Sequence, residues 1–435
     1  MKADRVLLRE KEPFAKVSAP CPYFGTCGGC TLQDLAYADQ LALKRQRLLR
    51  LLEALDPTLS VEVEGLDDPW RYRNKAEFAF SESGLPAHRT TGQAGLPAPS
   101  RTEQAGLPAH RTTGQAGGTI TVGYHAARSF WRIVDVEDCL LLPEPVSGLL
   151  ADVRRLAQHS GLPAYNPRTH QGCFRYLIVR ISHATGRILV CLVTTQGERA
   201  VMEQMAQELM QRHPDLVSVY WGINMKVADV AIPDELHLLQ GSPYLEDRLG
   251  PFALKLHPLS FLQPTPRAAE RMYARITEWA SHAPSAVAWD LYCGIGLVAF
   301  HLASTFRTVY GIDSDPHNLE LAGLNAQANA LHNIQFHLGR AEDLLANRRF
   351  WLTEARPELV VVDPPRSGLH ERVIASLLAA RPKQILYLSC NGQALARDLG
   401  GLLHGFPRYR LCRAAAFDFF PHTNHLEVLT LLERV

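Results

Sequence analysis

From Pro266 onward the chain alternates short apolar runs with helical stretches, and few architectures accept that rhythm. Strands are expected at residues 287–292, 308–312, 334–338, 359–362, 385–388, 408–415 and 427–432. Alternation of this kind specifies an α/β domain with a doubly wound, mostly parallel seven-stranded sheet. The last two strands are too close in sequence for an intervening helix, so they should pair antiparallel at one edge.

The remaining sequence needs at least one further core, since 435 residues exceed what a single domain usually organises. Residues 151–230 mix a helix with β-branched runs such as Tyr176-Leu177-Ile178-Val179 and Ile188-Leu189-Val190, an α+β pattern. The expected division is an extension at 1–20, a cysteine-bearing segment and helix at 21–56, a central α+β domain at 57–265 and the α/β domain at 266–435. Within the central domain, residues 84–117 hold three eleven-residue units, the first and third both GLPAHRTTGQA. With one large apolar residue each they cannot stack into a core, so they form a loop inserted into a hairpin between 76–80 and 119–124. In the preceding helix, Leu41, Leu48, Leu52 and Leu55 make an apolar stripe. Its basic residues Lys44, Arg45, Arg47 and Arg50 read equally as a solvated face or a phosphate-facing one.

Charge narrows the partners little: 45 Lys plus Arg nearly cancel 44 Asp plus Glu, so any contact with nucleic acid must come from a local patch. No run approaches the roughly 18 apolar residues of a membrane span, and the first residues carry no apolar leader, so a cytoplasmic protein without membrane contact is expected. In that setting nine cysteines favour metal binding or catalysis over disulfides. Cys21, Cys27 and Cys30 form C-x5-C-x2-C, with Gly28 and Gly29 permitting a tight turn. A fourth ligand is needed; four thiolates suit zinc or an iron–sulfur cluster, and spacing does not decide. Cys173, Cys191, Cys293 and Cys412 read as packing residues.

The α/β domain carries the reactive groups. Its first strand ends Asp290-Leu291-Tyr292-Cys293-Gly294-Ile295-Gly296, where glycine lets backbone approach a ligand at the carboxyl ends of the strands. Asp313 ends the second strand, placed to accept from ribose hydroxyls. The fourth strand runs into Asp363-Pro364-Pro365-Arg366, a rigid corner that fixes its carboxylate. The fifth ends Ser389-Cys390-Asn391, a cysteine beside the ligand edge. Carbon 5 of a uracil becomes nucleophilic when a thiolate adds to carbon 6, and a base must then remove the carbon 5 proton.

The first two motifs together resemble the nucleoside-binding half of S-adenosylmethionine-dependent methyltransferases. The order of Cys21-Pro22-Tyr23 through Cys30, Tyr72-Arg73-Asn74-Lys75, Ser260-Phe261-Leu262-Gln263, Asp290 to Gly294, Asp363 to Arg366, Ser389-Cys390-Asn391 and Phe420-Pro421-His422-Thr423-Asn424-His425-Leu426-Glu427 is similar to the RNA uracil-C5 (5-methyluridine) methyltransferases. Within that family it resembles the iron–sulfur branch acting on 23S ribosomal RNA. The resemblance implies Cys390 as nucleophile, Glu427 as base, and Gln263, Tyr292, Gly294, Asp313 and Asp363 as contacts to S-adenosylmethionine. It also implies a [4Fe-4S] cluster on Cys21, Cys27, Cys30 and Cys139, with 23S ribosomal RNA as partner and no obligate protein partner. Residues 6–16 would be the remnant of a barrel strand, leaving RNA contact to the central domain, with Trp70, Arg71, Tyr72, Arg73 and Lys75 as a basic and aromatic patch. Leu297 and Asp313 depart from the family's more usual asparagine and glutamate. Two other functions fit parts of the pattern: methylation of RNA exocyclic amines through Asp363 without a covalent step, and a non-catalytic, metal-bearing RNA-binding protein. Arg366 stands where the amine enzymes carry a stacking aromatic, which disfavours the first.

Overall fold

The computed structural model describes residues 14–82, 119–129, 131–280, 286–347 and 356–435. The repeats and most of the proposed barrel remnant lie outside the described residues. The predicted hairpin forms across the insert: Lys75–Ser81 pairs antiparallel with Thr121–His125.

Two large sheets organise the molecule. The central sheet has the order Ile133–Asp135, Thr121–His125, Lys75–Ser81, Phe174–Ile181, Ile188–Thr194, Leu216–Ile223, Glu235–Gly241. Its neighbours are antiparallel except Ile188–Thr194 with Leu216–Ile223, a parallel pair joined by the helix Arg199–Arg212. That helix and Pro145–His159 cover one face through Leu149, Val153, Met202 and Leu209. Ile178, Leu189 and Val193 on the other face share a core with Leu245, Leu254 and Met272. Both faces being covered, Phe174–Ile181 and Ile188–Thr194 are buried along their whole length, which is why they read as unbroken apolar runs.

All seven strands expected after Pro266 form, and the sheet gains an eighth. Its order is Val61–Glu64, Tyr409–Phe417, Glu427–Arg434, Gln384–Ser389, Leu359–Val362, Val287–Leu291, Thr308–Asp313, Ile334–Leu338. Glu427–Arg434 pairs antiparallel with Gln384–Ser389 on one side and Tyr409–Phe417 on the other. The expected edge is therefore not an edge: Val61–Glu64 pairs parallel with Tyr409–Phe417 and caps it. The preceding helix, Tyr37–Leu52, inserts Leu48 and Leu52 into the same core as Trp289, Val360 and Tyr387. Among the described residues no helix is long and apolar enough to cross a membrane.

Candidate active site

The ligand edge is built from sharp turns. After Val287–Leu291 the chain turns through Tyr292, Gly294 and Gly296 at φ of 65°, 53° and 90°, the left-handed region that only glycine enters freely. Gly294 N donates to Asp313 Oδ2 at 2.9 Å and Asp315 N donates to Asp313 Oδ1 at 2.9 Å, tying the first two strand ends together. Gln263, Tyr292, Gly294 and Asp363 line one narrow cleft with Phe261, Tyr273 and Asp290. Asp313 does not line it; its carboxylate is turned to the backbone of the turn.

Asp290 and Tyr273 have no role assigned from the sequence alone. Asp290 is fully buried; its Oδ2 accepts from Ala299 N at 3.0 Å, while Oδ1 has no partner. Burial, then Asp363 and Asp313, holds its carboxyl well above the usual range. Tyr273, on the helix Pro266–Trp279, is pushed up by burial and by Asp363, Asp290 and Glu427. In sequence it is one apolar position of an amphipathic helix, so nothing marked it.

Cys390 and Glu427 come together through strand register. Ser389 pairs with Val428 in the antiparallel ladder, so Cys390, one residue beyond, stands level with Glu427. Glu427 is buried and Cys390 half-buried. Burial pushes Glu427 well above the carboxylate range, Asp363 adds to this and Arg366 opposes it. Burial pushes Asp363 up to about 7. The Cys390 thiol is raised by burial first, then by Glu427 and Asp363, with Arg366 pulling it back. Two acids and a thiol thus share one desolvated corner beside the cleft, opposed by one guanidinium.

The corner is held from behind. Asn391 Nδ2 donates to Arg366 O at 2.9 Å, and Asn391 Oδ1 caps the helix Gly392–Leu403 by accepting from Gln393 N. Buried Asp398 accepts from Leu369 N and from Tyr387 Oη, both at 2.7 Å. Before Glu427, the loop at 418–426 is anchored by His422. Its backbone O accepts from Thr31 N and Leu32 N at 2.8 and 2.9 Å, its ring stacks on Trp70 at 3.9 Å, and its N donates to Gln40 Oε1 at 2.9 Å.

Cys21, Cys27, Cys30 and Cys139 line a single cavity of about 460 Å³ with Arg73 and Lys75. Gly28 N donates to His125 O at 2.9 Å, and a Cβ at Gly28 would meet that oxygen at 2.9 Å, so the loop lies tight against the hairpin. Burial pushes Cys27 up to about 11 and Cys30 up to about 12, and the neighbouring thiols add to both. Among the described residues no three His, Cys, Asp or Glu side chains gather closely enough to hold a single metal ion. Cys173, Cys191 and Cys293 are buried as expected, whereas Cys412 is half-buried at a bulge beside Glu433.

Most of the expected basic and aromatic patch is engaged internally, Arg73 apart. Arg71 makes a two-pronged pair with Asp138, 2.7 Å at each contact, and also donates to Leu142 O; Tyr72 Oη donates to Pro421 O at 3.2 Å. Lys75 pairs with Glu77 at 2.6 Å. The helix cations are similarly engaged: Lys44 with Asp418, Arg45 with Val61 O, Arg47 with Asn424.

Residues 245–435 match the family model described as tRNA (uracil-5-)-methyltransferase. An uncharacterized RNA methyltransferase of Listeria monocytogenes is 32% identical over 433 residues, 98% of this chain and 85% of that protein. One from Halalkalibacterium halodurans is 31% identical over 422 residues, 96% and 84%. The crystal structure of the Pyrococcus abyssi tRNA (uracil-54, C5)-methyltransferase in complex with S-adenosyl-L-homocysteine is 25% identical, superposes with a TM-score of 0.70, and covers 93% of this chain and 85% of that one. With near-complete coverage and the cysteine–glutamate corner at the strand ends, the chain is an RNA methyltransferase and belongs to the RNA uracil-5 methyltransferase family.

Proposed function

We propose that the protein methylates carbon 5 of a uridine in 23S ribosomal RNA, using S-adenosylmethionine and a covalent bond between Cys390 and uracil carbon 6. The observation that carries this reading is the corner itself: a thiol level with a buried carboxyl at the end of one antiparallel ladder. The cleft suits the methyl donor, with turns that expose backbone at Gly294 and an unpartnered buried oxygen on Asp290 able to accept from an ammonium. Gln263, Tyr292, Gly294 and Asp363 would contact it, and Asp313 would hold the Gly294 turn in shape. When bound, S-adenosylmethionine supplies an electrophilic methyl group.

This chain's residues do the rest. Cys390 gives its proton to Asp363, leaving Glu427 ionised, and the thiolate sulfur bonds to carbon 6 while the ring's electron pair moves toward the carbon 4 oxygen, making carbon 5 nucleophilic. Arg366 favours the thiolate that begins this step. Once carbon 5 carries the methyl group, Glu427 accepts its remaining proton, and the returning electrons expel Cys390 as thiolate. A carboxyl held well above its ordinary range is a stronger base when ionised, which suits removal of a carbon-bound proton.

Cys21, Cys27, Cys30 and Cys139 would hold a [4Fe-4S] cluster; four thiols on one cavity, with Arg73 and Lys75 to offset thiolate charge, support that donor set. Its place against the hairpin of the central domain, 57–265, through Gly28 and His125, makes a structural role the simplest. Iron and sulfide content with visible absorbance, compared with zinc content, tests it.

The function is tested by incubating wild type and Cys390→Ala with 5-fluorouridine-substituted transcripts of 23S ribosomal RNA and of transfer RNA, each with S-adenosylmethionine, on denaturing gels. A Cys390-dependent methylated adduct on 23S RNA is expected, because fluorine does not leave as a proton does. An adduct on transfer RNA alone would move the substrate. Methyl transfer that survives Cys390→Ala would replace the covalent mechanism with amine methylation.

A further inference from the structure

The hairpin that walls the cysteine cavity has a second side. Tyr124 and Val136 face the cysteines, while the alternating positions His125 and Ile133 face another cavity, of about 500 Å³. None of the residues assigned to catalysis, methyl-donor binding or the cluster lines it. Its floor is rigid. Arg175, 3% exposed, donates from Nη1 to Asn224 O and Lys226 O at 2.9 and 2.6 Å and from Nη2 to Ala228 O at 2.9 Å. Its guanidinium lies 4.3 Å over the ring of Tyr165. The rim is open: Trp131 is 48% exposed, with the guanidinium of Arg168 5.1 Å from its ring centroid, and Arg132 lies beside it.

The chemistry of the walls selects among ligands. Asp229 and Glu82 sit in the same cavity, so a bare phosphate would meet two carboxylates there. A flat aromatic ring with N–H donors meets what it needs: the exposed plane of Trp131 for stacking, with the buried Tyr165–Arg175 stack as floor, and the carboxylates of Glu82 and Asp229 as acceptors, the latter also accepting from Tyr176 Oη. The phosphates flanking such a ring would stay at the rim, near Arg132 and Arg168. Aromatic and guanidinium planes are how proteins hold unstacked bases. A volume of this order takes a nucleotide and no helical element.

We propose that the cavity bounded by Trp131, Tyr165, Arg168 and Arg175 binds an unstacked nucleotide of the RNA substrate, distinct from the uridine that meets Cys390. This rests on the RNA-substrate reading above. The subsite sets the register of the RNA: one nucleotide held on the far side of the hairpin fixes how far the strand reaches to the catalytic corner.

The test uses the full-length protein and whichever transcript, 23S ribosomal or transfer RNA, the wild type methylates. Trp131→Ala should weaken RNA binding and raise KM for RNA by about 5- to 150-fold, the range for one lost base–aromatic stack, while kcat at saturating RNA stays at the wild-type value. Trp131→Phe should recover most of the affinity. Arg168→Ala should weaken binding and reduce its salt dependence by roughly one phosphate contact. Both side chains are exposed, so melting temperatures should match the wild type. Wild-type RNA affinity in Trp131→Ala, with wild-type methylation intact, would overturn the subsite alone. A wild type that binds and methylates neither RNA would overturn the substrate reading and this proposal with it.

Discussion

Lys44→Met should be among the most damaging single substitutions outside the catalytic corner. Lys44 Nζ lies 2.6 Å from Asp418 Oδ1, and the two side chains are 1% and 0% exposed. Asp418 also accepts from Tyr37 Oη and Phe420 N, both at 3.1 Å, and Lys44 donates to Phe420 O at 3.1 Å. Burial alone would drive the lysine toward neutrality; Asp418 opposes this. Removing the ammonium leaves a buried carboxylate with hydrogen bonds but no counter-charge, at a cost of about 3–5 kcal/mol, or roughly two to four decades in the folding equilibrium. Asp418→Asn in the same chain should restore much of the loss, because the neutral amide still accepts from Tyr37 and Phe420 and no charge is stranded. Denaturant titrations of the wild type, both single variants and the double variant measure the cycle. A loss below about 1 kcal/mol for Lys44→Met, the value of an exposed pair, would show that water reaches Asp418 and that the pair is not what anchors the loop ahead of Glu427.

Asp363→Asn should abolish methyl transfer yet raise stability at alkaline pH. A carboxyl raised to about 7 keeps its proton in the folded state after the unfolded chain has lost it, so stability falls as pH rises from about 4 to 7 and then levels. Discounted for the contact with solvent through the cleft, the gain in Asp363→Asn is roughly 1–3 kcal/mol above pH 7 and vanishes near pH 4; equal melting shifts at pH 5 and 8 would refute it. Arg366→Gln removes the charge that lowers the Cys390 thiol, so the rise of kcat/KM with pH should move to higher pH; an unmoved profile would separate the guanidinium from thiol ionisation. Gly123→Ala would drive a Cβ to 1.8 Å from Val134 O, a backbone atom of the paired strand. Melting should show a loss of about 1–3 kcal/mol or more, and because Gly28 is bonded to His125 on the same strand, occupancy of the proposed cluster site, read as iron content, should fall with it.

The α/β sheet was readable because each of its strands is a short apolar run followed by turn chemistry, and parallel strands buried on both faces leave that local trace. Val61–Glu64 left none: Val-Glu-Val-Glu marks a strand but does not say which sheet's edge it caps, and its partner lies some 350 residues away. Distance in sequence also hid the fate of the cations. Lys44 sits among arginines on a helix that reads as solvent-facing, and only the fold brings Asp418 to it. Arg71 and Trp70 likewise looked like an RNA surface until Asp138 and His422 arrived from elsewhere. For the proposed catalytic corner, Cys390 was legible from its place after a strand. Glu427 was legible only by resemblance, because what distinguishes it from a surface carboxylate is the ladder register that sets it opposite the cysteine.

His422 has a consequence for the order in which the molecule can be completed. The amides that follow Cys30 bond to the carbonyl of His422, and among the described residues Val61–Glu64 ladders with a strand that begins at Tyr409. On a ribosome, the cysteine segment is therefore synthesised some 390 residues before the carbonyl that latches it. Closing so long a loop is entropically costly until the sheet it joins exists. Until residue 422 is added, these cysteines lack the hydrogen bonds that later hold Thr31 and Leu32. Until His422 is made, the segment stays open to anything that binds its thiols, and a chain lacking Tyr409–Phe417 leaves Val61–Glu64 without that partner strand.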